Sequence, residues 1–364
     1  MKRLTEFDQL ADPTFSSAVI AWQKEHGRHA LPWQNTTDAY RIWLSEIMLQ
    51  QTQVAAVLTY YARFLERFPT LHALAEAPQS DVMALLSGLG YYSRARNLHA
   101  CARRVAAEYG GVFPSEPALL ADLPGIGRST AAAISAFSSG TRAAILDGNV
   151  KRVFARVFGI DQYPGIKLVE DALWRRAEAL LPESGIERYT QGLMDLGATL
   201  CTRSSPDCAR CPLRARCVAF ALGRTSELPV RKPQKTKPEK RATMLLIVDC
   251  GQVLLEQRAG SGIWGALLSL PEVDGHADIA TPAPGVLAAA GRFGVVEEVQ
   301  ALLPLVHVFT HYKLHIYPHR IFLAQRAAPE PGYVWWQMAE IDKAPLPAPV
   351  KKLLAQLAQP SLFT

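Results

Sequence analysis

Four of the six cysteines in this 364-residue chain fall within a 17-residue stretch, as Cys201-x6-Cys208-x2-Cys211-x5-Cys217. Thiols this close can converge on one inorganic centre. The start of the chain lacks an apolar signal-like region, and no run reaches the roughly 18 apolar residues of a membrane helix. Cytoplasmic residence is therefore expected, and in that compartment disulfides are the weakest reading of the four thiols. Their spacing differs from paired CxxC zinc ribbons, so an iron–sulfur cluster and a four-thiolate zinc site both stand at this point. Arg203, Arg210, Arg214 and Arg216 make the segment basic. A centre that scaffolds a basic loop is expected over one that transfers electrons. Cys101 and Cys250 lie apart and read as small buried residues.

Residues 15–222 carry helix-spaced apolar stretches at about 15–30, 39–64, 71–75, 80–87, 92–109, 116–122, 128–139, 148–158, 168–181 and 187–200, separated by Gly and Pro breaks. The stretch 226–241, SELPVRKPQKTKPEKR, is polar and basic with three prolines and reads as a solvated linker. Beyond 242 the runs MLLIVD, QVLLEQR, VHVFTHYKLHIYPHRIFLAQ and YVWWQ are strand-like, with short helices expected at 284–291 and 346–358. The expected organisation is a mostly α domain over 1–225, a linker over 226–241 and a smaller α+β domain over 242–364. The net charge of +6 resides in the first two segments: residues 1–225 and 226–241 each carry a net +4, while 242–364 carry −2. A polyanion would be met by the first two, and solubility alone is the plainer reading of the same charge.

Chemistry is suggested at three places. Leu123-Pro124-Gly125-Ile126-Gly127-Arg128-Ser129 is a tight turn between two helical stretches, and its bare N–H groups at a helix start suit a phosphate. One Gly-x-Gly is also common in ordinary turns. A similar turn, Gly88-Leu89-Gly90-Tyr91-Tyr92, is followed by Arg94 and Arg96, which makes a backbone site with a stacking group more plausible. Glu46 sits within IWLSEIML, where helical spacing puts Ile42 and Leu49 on its face. A carboxyl in apolar surroundings stays protonated near neutral pH and suits a general acid. The plainer reading of that segment is a Glu that pairs with Arg or reaches solvent. Asp147, before the helical pattern GNVKRV, reads as an N-cap whose anion the helix dipole favours. One proton donor and one lasting anion are the division of labour that cleaves glycosidic bonds.

With these residues in order, the sequence resembles the helix–hairpin–helix DNA glycosylase superfamily, and closely its MutY-type adenine DNA glycosylases. WLSEIMLQQTQV, GLGYYSRARNL, LPGIGRSTA, ILDGNVKRV, MDLGATLCTR and the four cysteines carry the resemblance across nearly the whole chain. It implies a [4Fe-4S] cluster on Cys201, Cys208, Cys211 and Cys217. It implies Glu46 as the acid that protonates adenine N7 and Asp147 as the carboxylate that stabilises the oxocarbenium-like sugar. Gln51 and Tyr91 would wedge into the base stack. Thr52, Gly90, Gly125, Gly127, Arg128, Ser129 and Asn149 would meet DNA, and Trp33, Leu49 and Gln191 would line the adenine pocket. Relatives that also nick the strand carry Lys where this chain has Ser129, so no Schiff base is expected.

The C-terminal part resembles the Nudix-like, 8-oxoguanine-sensing domain of the same family, through VLLEQRAGSGIWGALLSLPE. GVLAAAGRFGV follows without the acids that a Mg²⁺-dependent hydrolase needs, so binding is expected rather than hydrolysis. Phe309-Thr310-His311 corresponds to the lesion-reading loop, with Thr310 where Ser is usual. Apart from the resemblance, His311 reads as a strand histidine in a half-buried sheet. The expected partner is double-stranded DNA holding A:8-oxoguanine or A:G, bound by a monomer with no membrane. The competing readings are a bifunctional glycosylase/lyase of the endonuclease III kind, a non-catalytic damage-binding protein and a nucleotide hydrolase.

Overall fold

The computed structural model describes residues 11–86, 92–233, 236–260, 262–273, 284–309, 311–328 and 330–358. The chain divides into two compact units, Met1–Glu76 with Asn97–Gln234 and Ala77–Arg96 with Lys235–Thr364. The division at 234/235 falls inside the expected linker. Residues 77–96, however, join the second unit rather than the first, where Arg96 Nη1 donates to the Gly265 carbonyl at 2.6 Å. Nor is 226–241 a free tether along its length. Leu228 is buried, and strand structure already begins at Glu239.

Helices run in the order α1 Pro13–His26, α2 Ala39–Leu49, α3 Val54–Arg67, α4 Leu71–Glu76, α5 Gln79–Leu85, α6 Tyr92–Tyr109, α7 Pro117–Ala121, α8 Arg128–Ser139, α9 Gly148–Val157, α10 Lys167–Ala179, α11 Ile186–Asp195 and α12 Val218–Ala221. Asp12 caps α1 by accepting from the Thr14 and Phe15 amides, with Pro13 at the first helical position. Phe15, Val19 and Trp22 then face inward at helical spacing. Phe15 meets Phe154 of α9 edge-on at 5.9 Å and 78°, a pairing worth about 0.5–1.5 kcal/mol beyond its burial.

The expected helix over 39–64 is two helices. Gln51 adopts φ 57° between α2 and α3, and that left-handed residue breaks the ladder. Helix α2 is buried nearly all round, at Tyr40, Ile42, Trp43, Leu44, Ser45, Ile47 and Met48. It packs on α8, whose buried Ala131, Ala132, Ala133 and Ala136 lack the bulk to hold it away. Glu46 is thereby carried deep into the unit on a central helix.

Helix α11 continues into a π-helical turn, Leu196–Leu200, which packs against α9 and delivers Cys201. Gly197 makes that approach possible, since a Cβ there would stand 2.4 Å from Asn149 Cβ and 3.1 Å from its Cα. Gly197→Ala is expected to destabilise by roughly 1–3 kcal/mol. A thermal melt should show a midpoint lower by several degrees, and an unchanged midpoint would mean that α9 has room to shift.

In the second unit, strands β1 Glu239–Asp249, β2 Gln252–Gln257, β3 Leu268–Ser269, β4 Glu272–Val273, β5 Gly294–Ala301, β6 Leu305–Val308, β7 Lys313–Arg326 and β8 Tyr333–Gln337 form a mixed sheet. Its main path is β3-β2-β1-β7-β5, with β4 on β1, β6 on β7 and β8 on β2. The β1–β7 pair is parallel, from Glu239↔Lys313 to Ile247↔Ile321. Helix α13 Pro284–Gly291 seals Val286 and Ala290 over Leu245, Ile247, Leu254 and Ile321, and α14 Ala348–Ala358 ends the described chain. Where a Nudix hydrolase places its metal-holding acids, α13 reads PGVLAAAG, without a carboxylate. Among the described residues no helix is long and apolar enough to cross a membrane.

Candidate active site

A cleft of about 860 Å³ opens in the first unit and is lined by Glu46, Trp33, Gln191, Arg28, His29 and Ser45, among others. Trp33 is buried and braced edge-on by Tyr61 at 5.3 Å. Leu49, at the end of α2, is half-buried and stands outside that lining.

Burial pushes the Glu46 carboxyl up to about 8, and the negative charge of Asp147 adds to the rise. The two expected acids are therefore near enough to couple, with Glu46 in the cleft lining and Asp147 outside it. Asp147 caps α9 as the sequence suggested, its Oδ1 accepting the Val150 amide at 2.8 Å. The cap does not by itself keep the group in the ordinary carboxylate range, however. Burial raises Asp147, and the Val150 and Asn149 amides, Arg152 and Lys151 pull it only partly back. Asp147 has amide donors and Glu46 has that anion as its neighbour, so Asp147 is the one that ionises first.

The hairpin between α7 and α8 is built as expected. Gly125 has φ 79°, and a side chain there would meet Asn97 at 2.9 Å. A Cβ on Gly127 would meet open space, so this N-cap presents bare backbone outward. Ser129 Oγ accepts the Leu146 amide at 3.0 Å, tying the start of α8 to the residue before Asp147. Arg128 is already engaged, stacked 3.8 Å over the Trp174 ring and paired with Glu178. A phosphate would have to compete for it. Gln51 is exposed and Thr52 half-buried between α2 and α3, while Asn149 accepts from Arg152 Nη2 at 2.8 Å. Gly90 and Tyr91 lie outside the described residues.

Cys201, Cys208, Cys211 and Cys217 all line one cavity with Val153, Leu196, Leu200 and Leu213. Two arginines of α9 hold its rim. Arg152 Nε donates to the Cys201 carbonyl at 2.7 Å, and the buried Arg156 donates to Cys201 Sγ at 3.3 Å. Burial pushes the Cys211 thiol up to about 11, so it keeps its proton until a metal displaces it. Among the described residues no three Cys, His, Asp or Glu side chains gather closely enough to hold a single ion. Tetrahedral zinc, with Zn–S near ~2.3 Å, would need sulfurs about 4 Å apart. Four thiols around one cavity, one of them met by a guanidinium N–H, are a donor set that suits a thiolate-held metal centre.

In the second unit, Phe309 stacks on Tyr312 at 4.6 Å and lies 5.7 Å from Trp264, with its carbonyl held by Lys237 Nζ at 2.9 Å. His311 is exposed in the turn between β6 and β7, not in a half-buried strand. The backbone leaves the ladder after Val308 and re-enters at Lys313, with the Phe309 amide donating to the Tyr312 carbonyl at 2.9 Å. Thr310 lies outside the described residues.

Sequence reasoning missed the pair beneath the cleft. Buried Asp195 binds the Arg28 backbone and side chain at 2.9 and 2.6 Å. The partners lie 167 residues apart, and no local pattern joins them.

Residues 44–179 match the HhH-GPD superfamily of base excision DNA repair proteins, and residues 243–356 match the NUDIX domain. The chain is 33% identical over 343 residues to the adenine DNA glycosylase of Buchnera aphidicola subsp. Acyrthosiphon pisum, covering 93% of this chain and 96% of that one. It is 30% identical over 408 residues to the adenine DNA glycosylase of Homo sapiens, covering 95% and 74%. Among solved structures, a thermostable thymine-DNA glycosylase superposes with TM-score 0.53 at 31% identity, over 57% of this chain and 96% of its own. An endonuclease III in non-covalent complex with DNA shares the fold, with TM-score 0.50 at 20% identity, over 58% and 95%.

Proposed function

Since this chain belongs to the adenine DNA glycosylases, base-excision enzymes that act on N-glycosyl bonds, we propose that it hydrolyses adenine from A:8-oxoguanine and A:G mispairs without efficient strand nicking. The observation that carries this reading is the pair of unlike carboxyls: Glu46 pushed up to about 8 where it lines a cleft with room for an extruded nucleoside, near an Asp147 that ionises first. Flipping places adenine in the cleft with Trp33 and Gln191. Glu46 gives its proton to N7, so the electrons of the breaking C1′–N9 bond pass to a neutral leaving base. The Asp147 carboxylate offsets the positive charge that grows on the sugar, and water adds to C1′ with loss of a proton. Ser129 has no amine for a Schiff base, and its hydroxyl is engaged with Leu146.

Cys201, Cys208, Cys211 and Cys217 would hold a [4Fe-4S] cluster, which supplies a structural brace for a basic loop rather than a reactive atom. The hairpin amides at Gly125 and Gly127, with Gln51, Thr52 and Asn149, are the proposed DNA contacts, with Gly90 and Tyr91 joined to them from the matched segment. The helical part alone is also similar to a thymine-DNA glycosylase, so the choice of adenine rests on the cleft and on full-length similarity to adenine DNA glycosylases. The loop Phe309-Thr310-His311 is the proposed reader of the opposite base, supported by the aromatic stack behind Phe309.

Excision from duplexes differing in one base pair tests the reading. Adenine opposite 8-oxoguanine and G is expected to be released, and adenine opposite T to be released far more slowly. Thymine release from T:G, or borohydride-trappable nicking by the pure protein, would overturn it.

A further inference from the structure

The cleavage scheme leaves one fully buried carboxylate unused. Asp195, at the end of α11, accepts the Arg28 amide through Oδ2 and the Arg28 Nε through Oδ1. The same Oδ1 accepts from Gln191 Nε2 at 2.8 Å, one helical turn back. A carboxylate clamped by a guanidinium has acceptors only, so the half of the Gln191 amide turned toward it must be the NH₂. That fixes which half is left. The carbonyl oxygen is what Gln191 offers on its other side, and Gln191 lines the cleft with Glu46 and Trp33.

We propose that Asp195, held by Arg28, is a positioning residue that locks the Gln191 amide with its oxygen toward the extruded base, so that the cleft selects 6-amino over 6-oxo purines. The proposal rests on the adenine-glycosylase reading of this cleft. Adenine presents an N6 amine, which donates to such an oxygen. Hypoxanthine presents a carbonyl at the same place, and two facing acceptors leave each other unpaired in a desolvated pocket. A free glutamine amide would turn over and serve either base, because its two ends differ little in shape. Discrimination therefore comes from the clamp behind the amide as well as from the amide.

The test is single-turnover release of adenine and of hypoxanthine, each opposite 8-oxoguanine in one duplex sequence. Asp195→Asn can present either a donor or an acceptor to Gln191, so the adenine-to-hypoxanthine rate ratio is expected to fall at least about tenfold. A purely structural role would slow both bases alike, and an unchanged ratio overturns the proposal. Gln191→Met keeps the length without polar groups and decides the matter should the Asp195 variant fail to fold. Its ratio must also collapse, and a ratio like that of the parent overturns the proposal. If the parent enzyme releases no adenine at all, the reading of the cleft fails first and the clamp's role falls with it.

Discussion

Glu46→Gln is expected to abolish adenine release, by about a thousandfold or more, while leaving duplex binding within a few-fold of wild type. The amide fills nearly the same space but has no acidic proton to give. Single-turnover excision and a binding titration on the same mispaired duplex separate the two effects. Wild-type-like turnover would remove Glu46 from the mechanism. The pH profile carries a second signature. An acid works while protonated, so release should hold through neutral pH and fall about tenfold per unit above about 8, the value to which burial and then Asp147 raise Glu46. On the acid side the rate should fall as Asp147 takes up a proton, above the usual carboxylate range because burial raises it. Stability moves too. The folded protein retains the Glu46 proton that the unfolded chain releases above about 4.5. Stability from this group is thus full below that pH and declines as pH rises towards 8. Relative to wild type, Glu46→Gln should gain melting temperature between pH 5 and pH 8.5. Activity and stability are opposed at this residue, as expected where a charge is buried for function.

Arg156→Ala is expected to cost about 3–5 kcal/mol and to loosen the cysteine loop. Its guanidinium is buried and donates to the Leu228 carbonyl at 2.8 Å, the Thr202 carbonyl at 2.7 Å, the Arg203 carbonyl at 3.2 Å and Cys201 Sγ at 3.3 Å. Truncation strips partners from acceptors that water cannot easily reach. A drop in melting temperature of roughly 10 °C is expected. Iron content should fall with it, from the roughly four per chain that a full cluster gives. Arg156→Lys keeps the charge but not the planar fork, so it should restore only part of the loss. A variant that melts within 2 °C of the parent and holds its full iron would sink this account, and one zinc per chain in the parent would replace the cluster itself.

Much of the molecule was legible in its residues because the signals were local. The apolar stretch from residue 15 announces a helix, and Asp147 announces the cap of the helix that follows it. Four cysteines within 17 residues announce a shared cavity, since a short chain segment keeps its thiols together whatever surrounds it. Glu46 was harder. Its segment alone favoured a paired or solvated glutamate, and the family resemblance singled it out instead.

What remained undecided by order alone depended on partners far along the chain. Gln51 splits one expected helix into two by adopting a left-handed backbone. Arg128, expected to meet phosphate, spends its guanidinium on Trp174 and Glu178. His311 leaves the strand for an exposed turn, and residues 77–96 join the second unit. Residue type and spacing determined which groups could be acids, caps and metal ligands, because those properties are carried by the side chain and its near neighbours. Folding decided which of them are active, because a carboxyl's proton affinity and an amide's orientation are set by burial and by contacts such as Arg28 with Asp195, 167 residues apart.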